Sequence, residues 1–402
     1  MKYVLVQGDG MADHPVDSLH GLTPLEAAHT PNMDRIARYG RLGLVRTIPP
    51  GYPSGSPVGT MTILGYDPSV YFTGRGPLEA ASMGIDLGET DVAFRCNLVT
   101  IGEREGERIM VDFTAGHISS EEGAEIIETI QSEVGDSNIS FYPGVGYRHL
   151  MVWHGGPVST RTTPPHDISD RPVDPHTPSG EGSERLAELA SAAHKILSTH
   201  PVNERRASRG EKRATDIWLW GQGRRPALPT LLERFGLSGG VITAVDVIGG
   251  LGRIAGLERI DVPGMTGFFD TNYLGKGEYA LKALKKHDFV LIHVEAPDEA
   301  GHMGDPDLKV KAIEDFDEKV IGTVLRGIHR FDEWRIMVVP DHATPVSTKT
   351  HTDELVPFAI LESRSSMDSK RGYSEREAAM TGHVVEEGHL LLGQLLREDI
   401  SP

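Results

Sequence analysis

Residues 336–351 read IMVVPDHATPVSTKTH, an apolar run that stops at a proline and is followed at once by an aspartate and a histidine. Residues 336–339 are apolar at every position, which is typical of a strand buried on both faces of a parallel sheet. In open α/β sheets, ligands bind outside the carboxyl ends of the strands. Asp341 and His342 therefore stand where such a sheet would place a binding site.

Similar short apolar runs recur along the chain and predict the rest of the sheet. We expect buried strands at residues 3–6, 217–220, 241–245, 289–294, 336–339 and 358–361. Amphipathic stretches lie between them, such as one that begins at Pro31 with Thr30 as its N-cap and one over residues 307–328. This alternation predicts an α/β fold, a mostly parallel sheet with helices on both faces.

Residues 88–205 differ from the rest of the chain in their pattern of predicted strands and helices, and they predict a separate module. We expect there a hairpin over 97–113, a helix over 119–134 that opens with a capping box from Ser119 to Glu122, a strand over 147–153 and a helix over 183–197. This mixture indicates a smaller α+β domain, residues 88–205, inserted into a discontinuous core of residues 1–87 and 206–402.

The composition excludes several classes of function. Lys plus Arg number 40 and Asp plus Glu 58, which gives a formal charge of −18 and argues against nucleic-acid and membrane-surface partners. The single cysteine, Cys96, excludes an intramolecular disulfide and a thiolate metal cage. Neither a signal-peptide apolar region nor a run of about 20 apolar residues is found. We expect a cytoplasmic protein, whose oligomeric state the sequence leaves open.

Two further predicted strands deliver aspartates to the same edge of the sheet. Asp9 follows the first strand, and Asp298 follows a later one, with His302 four residues on. Converging carboxylates raise one another's pKa values unless cations relieve the repulsion. His302, His342 and His351 add nitrogen ligands, and mixed Asp and His ligands suit Mn²⁺ or Zn²⁺. Each residue alone is more often a cap or a solvated side chain, but the joint pattern predicts a centre of two metal ions.

A candidate nucleophile stands in PPGYPSGSPVGTMTILGYDP, residues 49–68. Ser56 is predicted to cap a short helix that runs through Leu64, with Pro57 as the first helical residue. A phosphoryl group on that hydroxyl would be stabilised by the helix dipole. Most N-cap serines only cap, and a hydroxyl nucleophile also needs an activator such as a metal ion.

An ordered set of motifs resembles the archaeal type of cofactor-independent phosphoglycerate mutase, a family of the alkaline phosphatase superfamily. The motifs are GDGMAD (8–13), TPLEAAHTPNMDRIARYG (23–40), PSGS (53–56), GYDPSVYFTGRGPLEAASMGI (65–85), PDEAGHMGD (297–305), PDHATP (340–345) and THTDELVPF (350–358). The resemblance covers nearly the whole chain and implies an alkaline-phosphatase-like core. RCNLVT (95–100) and WLWGQG (218–223) are most similar to a bacterial branch proposed to act as a homoserine kinase, so two reactions stay open.

The resemblance implies a role for each candidate residue. Asp298, His302 and His351 match the ligands of one ion, while Asp9, Asp341 and His342 match those of a second ion, which the nucleophile Ser56 also coordinates. Mn²⁺ is the usual metal, and Zn²⁺, Co²⁺ or Mg²⁺ are alternatives. The implied reaction interconverts 3-phosphoglycerate and 2-phosphoglycerate through a phosphoserine, without 2,3-bisphosphoglycerate.

The inserted domain is expected to exclude water and to hold the substrate's carboxylate and hydroxyls. Arginine offers a bidentate fork for carboxylate or phosphate, and a His–Asp pair could move a proton between glycerate hydroxyls. We expect Arg75 to reach the phosphate from the core. The full set of substrate-binding candidates is Arg75, Arg95, Arg148, His149, His166, Asp167 and Lys276.

One position departs from the family pattern, which commonly has Asp after the serine where this chain has Pro57. Ser54 and Thr60 are alternative nucleophiles. The alternative functions are a phosphotransferase acting on another hydroxyl such as that of homoserine, a metal-dependent phosphohydrolase, and a non-catalytic metal-stabilised protein. The chain lacks a Walker-type GxxxxGK[ST] motif, so a nucleotide donor would have to bind at the metal ions.

Overall fold

The computed structural model describes residues 1–397 and divides the chain into two compact units. The core unit comprises Met1–Phe72 and the chain from Ala227 onward, and the inserted unit is Thr73–Pro226. The expected limits were 88 and 205, so the inserted unit is longer at both ends. The reason is that a helix at Gly76–Ser82 and a strand at Asp216–Gly223 both pack against the central strand of the inserted unit.

The strands are β1 (Lys2–Gly8), β2 (Arg41–Val45), β3 (Val92–Arg104), β4 (Glu107–Asp112), β5 (Ile139–Val145), β6 (Arg148–Trp153), β7 (Asp216–Gly223), β8 (Gly239–Ile242), β9 (Glu258–Arg259), β10 (Phe289–Val294), β11 (Trp334–Val339), β12 (Val356–Glu362) and β13 (Val384–Val385). The α-helices are α1 (Pro24–Ala27), α2 (Pro31–Tyr39), α3 (Ser56–Ile63), α4 (Pro68–Tyr71), α5 (Gly76–Ser82), α6 (Ser120–Val134), α7 (Ser183–Ser198), α8 (Pro201–Ser208), α9 (Leu231–Phe235), α10 (Asp246–Ile254), α11 (Tyr273–Ala283), α12 (Ala296–Met303), α13 (Pro306–Asp315), α14 (Gly322–Ile328), α15 (Glu375–Ala379) and α16 (Leu391–Leu396). A π-helical segment, Phe316–Ile321, joins α13 to α14, and short 3₁₀ helices lie at Asp17–Leu19, Pro165–Ile168, Asp174–His176 and Gly388–Leu390.

The core sheet has the order β13-β2-β12-β11-β1-β10-β8-β9. β1 is central and pairs in parallel with β10 and β11, while β12 is antiparallel to both of its neighbours. All residues of β10 and β11 are buried, as a sheet covered by helices requires. The predicted α/β class with a mostly parallel sheet is confirmed.

The predicted strand at 217–220 belongs to the other sheet, which corrects its expected place in the core. β7 pairs with β3 in an antiparallel sheet of the inserted unit, whose order is β4-β3-β6-β5. Ile217 and Leu219 face one hydrophobic cluster, and Trp218 and Trp220 face another. Continuous apolarity reports burial on two faces, but not which sheet supplies the neighbours.

Helices α2 and α6 begin where predicted, but some of the capping contacts at their first residues differ from those predicted. α2 begins at Pro31, yet the Thr30 side chain makes no capping hydrogen bond. Asp317 of the π-helical segment instead accepts hydrogen bonds from the amides of Met33 at 2.6 Å and Asn32 at 3.1 Å. At α6, the Ser119 side chain accepts a hydrogen bond from the Glu122 amide, as predicted. The Glu122 carboxylate instead pairs with Arg206 of α8 and with Arg209, the residue that follows α8.

The predicted hairpin at 97–113 is the β3–β4 pair. Its turn contains Glu105 and Gly106, with φ values of 57° and 84°, the left-handed pair that suits a tight hairpin. Among residues 1–397, no helix is long and apolar enough to cross a membrane.

Candidate metal centre and nucleophile

The side chains predicted as metal ligands and nucleophile converge at the carboxyl edge of the core sheet. They are Asp9 after β1, Ser56 in α3, Asp298 and His302 in α12, Asp341 and His342 after β11, and His351 in the loop before β12. Each strand end therefore delivers its residues to one place, as the parallel arrangement requires. All of them lie within the core unit.

Ser56 is the first residue of α3 rather than its N-cap, which corrects the prediction. The N-cap is Gly55, whose φ of 152° is a value that L side chains rarely adopt. The Ser56 hydroxyl donates to Asp9 Oδ2 at 3.0 Å and lies 3.3 Å from His342 Nε2. Helix α3 can lie this close because position 59 is glycine: a Cβ there would be 2.4 Å from the carbonyl oxygen of Asp341.

The alternative nucleophiles have other partners. The Thr60 hydroxyl is buried and exchanges hydrogen bonds with the side-chain amide of Gln7, at 2.9 and 3.2 Å. Ser54 contributes its backbone carbonyl, which lies 3.2 Å from His351 Nδ1. Of the three candidate nucleophiles, Ser56 is therefore the one whose hydroxyl contacts Asp9.

When both rings are neutral, as metal binding requires, two imidazoles of the site present lone pairs to each other. His302 Nδ1 lies 3.0 Å from the carbonyl of Lys349, and His351 Nδ1 faces the carbonyl of Ser54. A carbonyl only accepts, so in the neutral rings both Nδ1 atoms carry the proton and both Nε2 atoms carry the lone pair. These Nε2 atoms are 2.9 Å apart and lie 3.1 and 3.5 Å from the Asp298 carboxylate. A cation among them would convert a repulsive arrangement into a ligand set.

His342 is oriented in the same way. Its Nδ1 lies 3.2 Å from the hydroxyl of Thr344, which in turn donates to Asp298 Oδ1. Because that hydroxyl proton is used on the carboxylate, Nδ1–H of His342 is the donor to Thr344. His342 Nε2 is thereby left as a lone pair, 3.2 Å from Asp9 Oδ1 and 3.6 Å from Asp341 Oδ2.

The donor atoms form two groups, each spanning no more than 4.8 Å: Asp298 with His342 and His351, and Asp9 with His293 and Asp341. Asp341 Oδ2 is buried without a hydrogen-bond partner, a costly state unless a cation neutralises it. These residues fit two divalent ions. Distance groups His342 with Asp298, whereas the family resemblance groups it with Asp9.

The carboxylates of the centre have opposite electrostatic environments. Burial, followed by repulsion from Asp341 and Glu295, raises the pKa of Asp9 well above its usual value. Burial acts in the same direction on Asp298, but hydrogen bonds from His302 and His351 outweigh it and hold the pKa of Asp298 well below its usual value. Burial would lower the pKa of His302, but its hydrogen bond with Asp298 raises that pKa to about 9.

Sequence reasoning missed His293, Glu295 and Thr344. His293 Nε2 lies 2.8 Å from Asp9 Oδ2, and its Nδ1 lies 3.1 Å from the Thr243 hydroxyl. Glu295 is hydrogen-bonded to Asp9, and burial raises the pKa of its carboxyl to about 8. The available signal was the one histidine inside the apolar run FVLIHV, residues 289–294.

Three of the substrate-binding candidates lie together in the inserted unit. The guanidinium carbon of Arg95 is 4.5 Å from the ring centre of Trp220, and that of Arg75 is 5.6 Å from the same ring. Burial, then repulsion from Arg95 and, more weakly, Arg148, lowers the pKa of Arg75 to about 10. Arg95 is paired with Glu79 at 2.9 Å. Arg75 thus belongs to the inserted unit, which corrects the expectation that it lies in the core.

The histidine candidates of the inserted unit differ in exposure. His166 is partly exposed, lies 3.7 Å from Asp167 and contacts Trp220, with ring centres 5.3 Å apart. His149 is buried, accepts from the Gly144 amide at 3.0 Å, and has its pKa lowered to about 3 by burial. His166 and Asp167 therefore lie beside the arginines, while His149 packs inside the unit against α6.

Lys276 is a buried residue of the core unit. Its ammonium donates to the carbonyl of His293 at 2.7 Å, and burial lowers its pKa to about 8. Because Lys276 is buried, it is not simply a solvated lysine at the start of a helix.

A family model and known proteins that resemble this chain point to the same family. The model for 2,3-bisphosphoglycerate-independent phosphoglycerate mutase matches residues 37–203. A probable 2,3-bisphosphoglycerate-independent phosphoglycerate mutase of Geobacter sulfurreducens is 51% identical over 397 residues, which cover 98% of this chain and 100% of the relative. A 2,3-bisphosphoglycerate-independent phosphoglycerate mutase of Methanothrix thermoacetophila is 49% identical, with the same coverage.

Solved structures resemble the whole chain. The PH0037 protein of Pyrococcus horikoshii is 30% identical with a TM-score of 0.83, over 100% of this chain and 99% of that one. A cofactor-independent phosphoglycerate mutase of Thermoplasma acidophilum is 27% identical with a TM-score of 0.66, over 99% of each chain.

Proposed function

The chain belongs to the family of 2,3-bisphosphoglycerate-independent phosphoglycerate mutases, and we propose that it interconverts 3-phosphoglycerate and 2-phosphoglycerate through a phosphoserine at Ser56. The observation that carries the proposal is the position of the Ser56 hydroxyl, 3.0 Å from Asp9 and 3.3 Å from His342 at the start of α3. A phosphoryl group there would lie at the positive end of the helix dipole.

Two divalent ions complete this site in our proposal. Asp298, His302 and His351 hold one ion, and Asp9, Asp341 and His342 hold the other next to Ser56. The proximity of His342 Nε2 to both Asp9 and Ser56 supports that division. We propose Mn²⁺, with Zn²⁺, Co²⁺ or Mg²⁺ as alternatives. When bound, such ions supply positive charge that lowers the pKa of a hydroxyl and stabilises the phosphoryl oxygens.

The protein's own residues orient the reacting groups. The proton of Ser56 Oγ is directed at Asp9 Oδ2, so the oxygen lone pairs point away from the carboxylate and toward an incoming phosphorus. Ser56 Oγ gives its proton to Asp9 Oδ2 and forms the new bond to phosphorus as the bond to the 3-oxygen of the substrate breaks, and the 3-oxygen takes up a proton from His166. The 2-hydroxyl of the retained glycerate then returns a proton to His166 as its oxygen attacks the phosphoserine, and Ser56 Oγ leaves and takes back its proton from Asp9.

The inserted unit supplies the residues that hold an anion. We propose that Arg75, Arg95 and Arg148 bind the carboxylate of glycerate, and that His166 with Asp167 moves the proton between its two hydroxyls. The stacking of Arg75 and Arg95 on Trp220 supports this, because it holds two guanidinium groups close together against their mutual repulsion.

The proposed substrate is thus a small phosphorylated acid, and we place the reaction in the cytoplasm, where a chain with a single buried cysteine meets reducing conditions.

The decisive experiment follows phosphorus by NMR. Purified protein with Mn²⁺ and 3-phosphoglycerate should give 2-phosphoglycerate without added 2,3-bisphosphoglycerate. Accumulation of inorganic phosphate instead would identify a phosphohydrolase, and ATP-dependent phosphorylation of homoserine would identify a kinase.

A further inference from the structure

A buried ion pair lies below the metal centre in the core unit. Lys309 Nζ of α13 is 2.8 Å from Asp13 Oδ2, and both side chains are fully buried. A buried ammonium is costly unless its hydrogen bonds are satisfied. Neither residue is among the predicted metal ligands or substrate-binding residues.

All three protons of the ammonium have acceptors. Besides Asp13, Lys309 Nζ donates to the carbonyl of Ala12 at 3.2 Å and to the carbonyl of Thr344 at 2.8 Å. An ammonium has three donors, so Lys309 has none left for a substrate. The Asp13 carboxylate in turn accepts from the Val346 amide at 3.1 Å.

These contacts join two of the segments that carry proposed ligands. Residues 12 and 13 follow Asp9 by one short turn, and residues 344–346 follow Asp341 and His342 directly. The same two segments also contact each other nearer the ligands: the Gly10 amide donates to Asp341 Oδ1 at 3.2 Å, the Thr344 amide donates to the Ala12 carbonyl at 3.2 Å, and Ala343 forms single bridges with Met11 and Ala12.

Thr344 connects the pair to one ligand of each ion in the proposed assignment. Its hydroxyl contacts Asp298 Oδ1 and lies 3.2 Å from His342 Nδ1. Its backbone lies directly on α12, since a Cβ at Gly301 would be 2.3 Å from the Thr344 carbonyl oxygen. A displacement of Thr344 would therefore move Asp298 and His342 relative to each other.

We propose that Lys309 and Asp13 are positioning residues that set the separation of the two metal ions. The inference rests on the proposed two-ion site and adds the pair that fixes its dimensions. Lys309 holds the Thr344 carbonyl in place, Thr344 orients Asp298 and His342, and these residues belong to different ions in the proposed assignment.

The test uses the full-length Lys309→Met variant with Lys311→Met as the matched control. Lys311 lies on the same helix but is exposed and pairs with Asp315. Metal-free protein is titrated with Mn²⁺ by calorimetry, and the spin coupling between the two Mn²⁺ ions is read by electron paramagnetic resonance. Lys309→Met should bind at least one ion about tenfold more weakly and change the coupled signal, whereas Lys311→Met should match the wild type. We expect kcat to fall while KM for 3-phosphoglycerate changes less than about threefold.

Asp13→Asn provides a second variant, because it keeps the shape of the side chain and an acceptor for the Val346 amide. It should change the coupled signal in the same direction. Wild-type affinity and an unchanged signal in either folded variant would overturn the inference while leaving the proposed function intact. Absence of two coupled ions from the wild type and the Lys311→Met control would instead overturn the proposed function, and the inference with it.

Discussion

Ser56 and Ser54 are two residues apart in the same loop, yet only the Ser56 hydroxyl reaches the carboxylates. Ser56→Ala should lower mutase activity at least about a thousandfold, since it removes the hydroxyl that lies 3.0 Å from Asp9 and 3.3 Å from His342. Both metal ions should still bind, because the Asp and His ligands are retained. Activity is measured by phosphorus NMR and metal content by mass spectrometry. Ser54→Ala is the control, and a comparable loss of activity in it would contradict the assignment.

Arg75 offers a test of the anion site. Arg75→Met removes a charged donor beside Trp220 and should raise KM for 3-phosphoglycerate about 10- to 100-fold, the equivalent of one or two charge-assisted hydrogen bonds. Arg108→Met, at an exposed pair with Asp174 in the same unit, should leave KM unchanged. Steady-state kinetics on both variants distinguish the outcomes, and equal KM values would remove Arg75 from the site.

Glu375 makes the stability of the metal-free protein depend on pH. Burial raises the pKa of its carboxyl to about 7, above the ordinary value of 4.5. The folded state therefore keeps a proton that the unfolded state releases, so the free energy of unfolding falls as pH rises from about 4.5 to 7, by up to roughly 3 kcal/mol. Glu375→Gln should flatten this slope in urea titrations with EDTA. Glu377→Gln, at a half-exposed pair with Arg371, should keep it.

Among individual residues, the sequence predicts the location of those that come just after a strand. Asp9, Asp298 and Asp341 each come just after a strand, so their meeting at one edge is predictable from topology. His293 and Glu295 were missed because one lies inside an apolar strand and the other directly after it, where a polar residue has many structural explanations. Ser56 is the first residue of α3 and not its predicted N-cap, because glycine at 55 also serves as an N-cap.

Among the elements, α2 is stabilised at its start by a contact that the sequence does not predict. Its first amides are capped by Asp317 from a different helix, and not by Thr30. Asp317→Ala should lower the free energy of unfolding by about 1–3 kcal/mol, because it leaves amides of Asn32 and Met33 without acceptors. Thr30→Val removes the hydroxyl at constant shape and should change stability by less than about 0.5 kcal/mol. Urea denaturation of both variants measures the difference, and a larger effect at Thr30 would restore the expected cap.

Element types were largely predictable, while partners were not. The helix over 307–328 is found, but a π-helical turn at Phe316–Ile321 interrupts it and turns Asp317 toward α2. The strand at 217–220 is also found, yet it pairs with β3, more than a hundred residues earlier. Local periodicity carries no information about such distant pairing.

At the scale of the molecule, the inserted unit begins and ends with segments that lie side by side. The Thr73 hydroxyl donates to the carbonyl of Arg224 at 2.6 Å, so the two ends of the segment are adjacent. The unit also has hydrophobic clusters of its own, built by β3, β6 and β7 with α6 and α7. This explains why its limits were hard to read: residues 73–87 and 206–226 contain α5 and β7, which belong to the inserted unit.

Separation of the units is therefore a practical experiment. Residues 73–226 expressed alone should show one cooperative thermal transition by circular dichroism. The core with a short Gly-Ser linker from Phe72 to Ala227 should bind two Mn²⁺ ions by calorimetry but lack mutase activity, because the proposed anion site is gone. A core that cannot bind metal although it is folded would show that the inserted unit contributes ligands.

The pairing of β1 also has a consequence for biosynthesis. Tyr3 is in register with Phe289 of β10 and Arg335 of β11, so the first strand to leave the ribosome has no partner until most of the chain has been translated. At roughly 5–20 residues per second this delay lasts on the order of tens of seconds. The middle segment contains every strand of its own sheet and can fold during that delay. The nascent chain therefore completes its inserted unit first, and the sheet of the core unit closes only when the last third emerges.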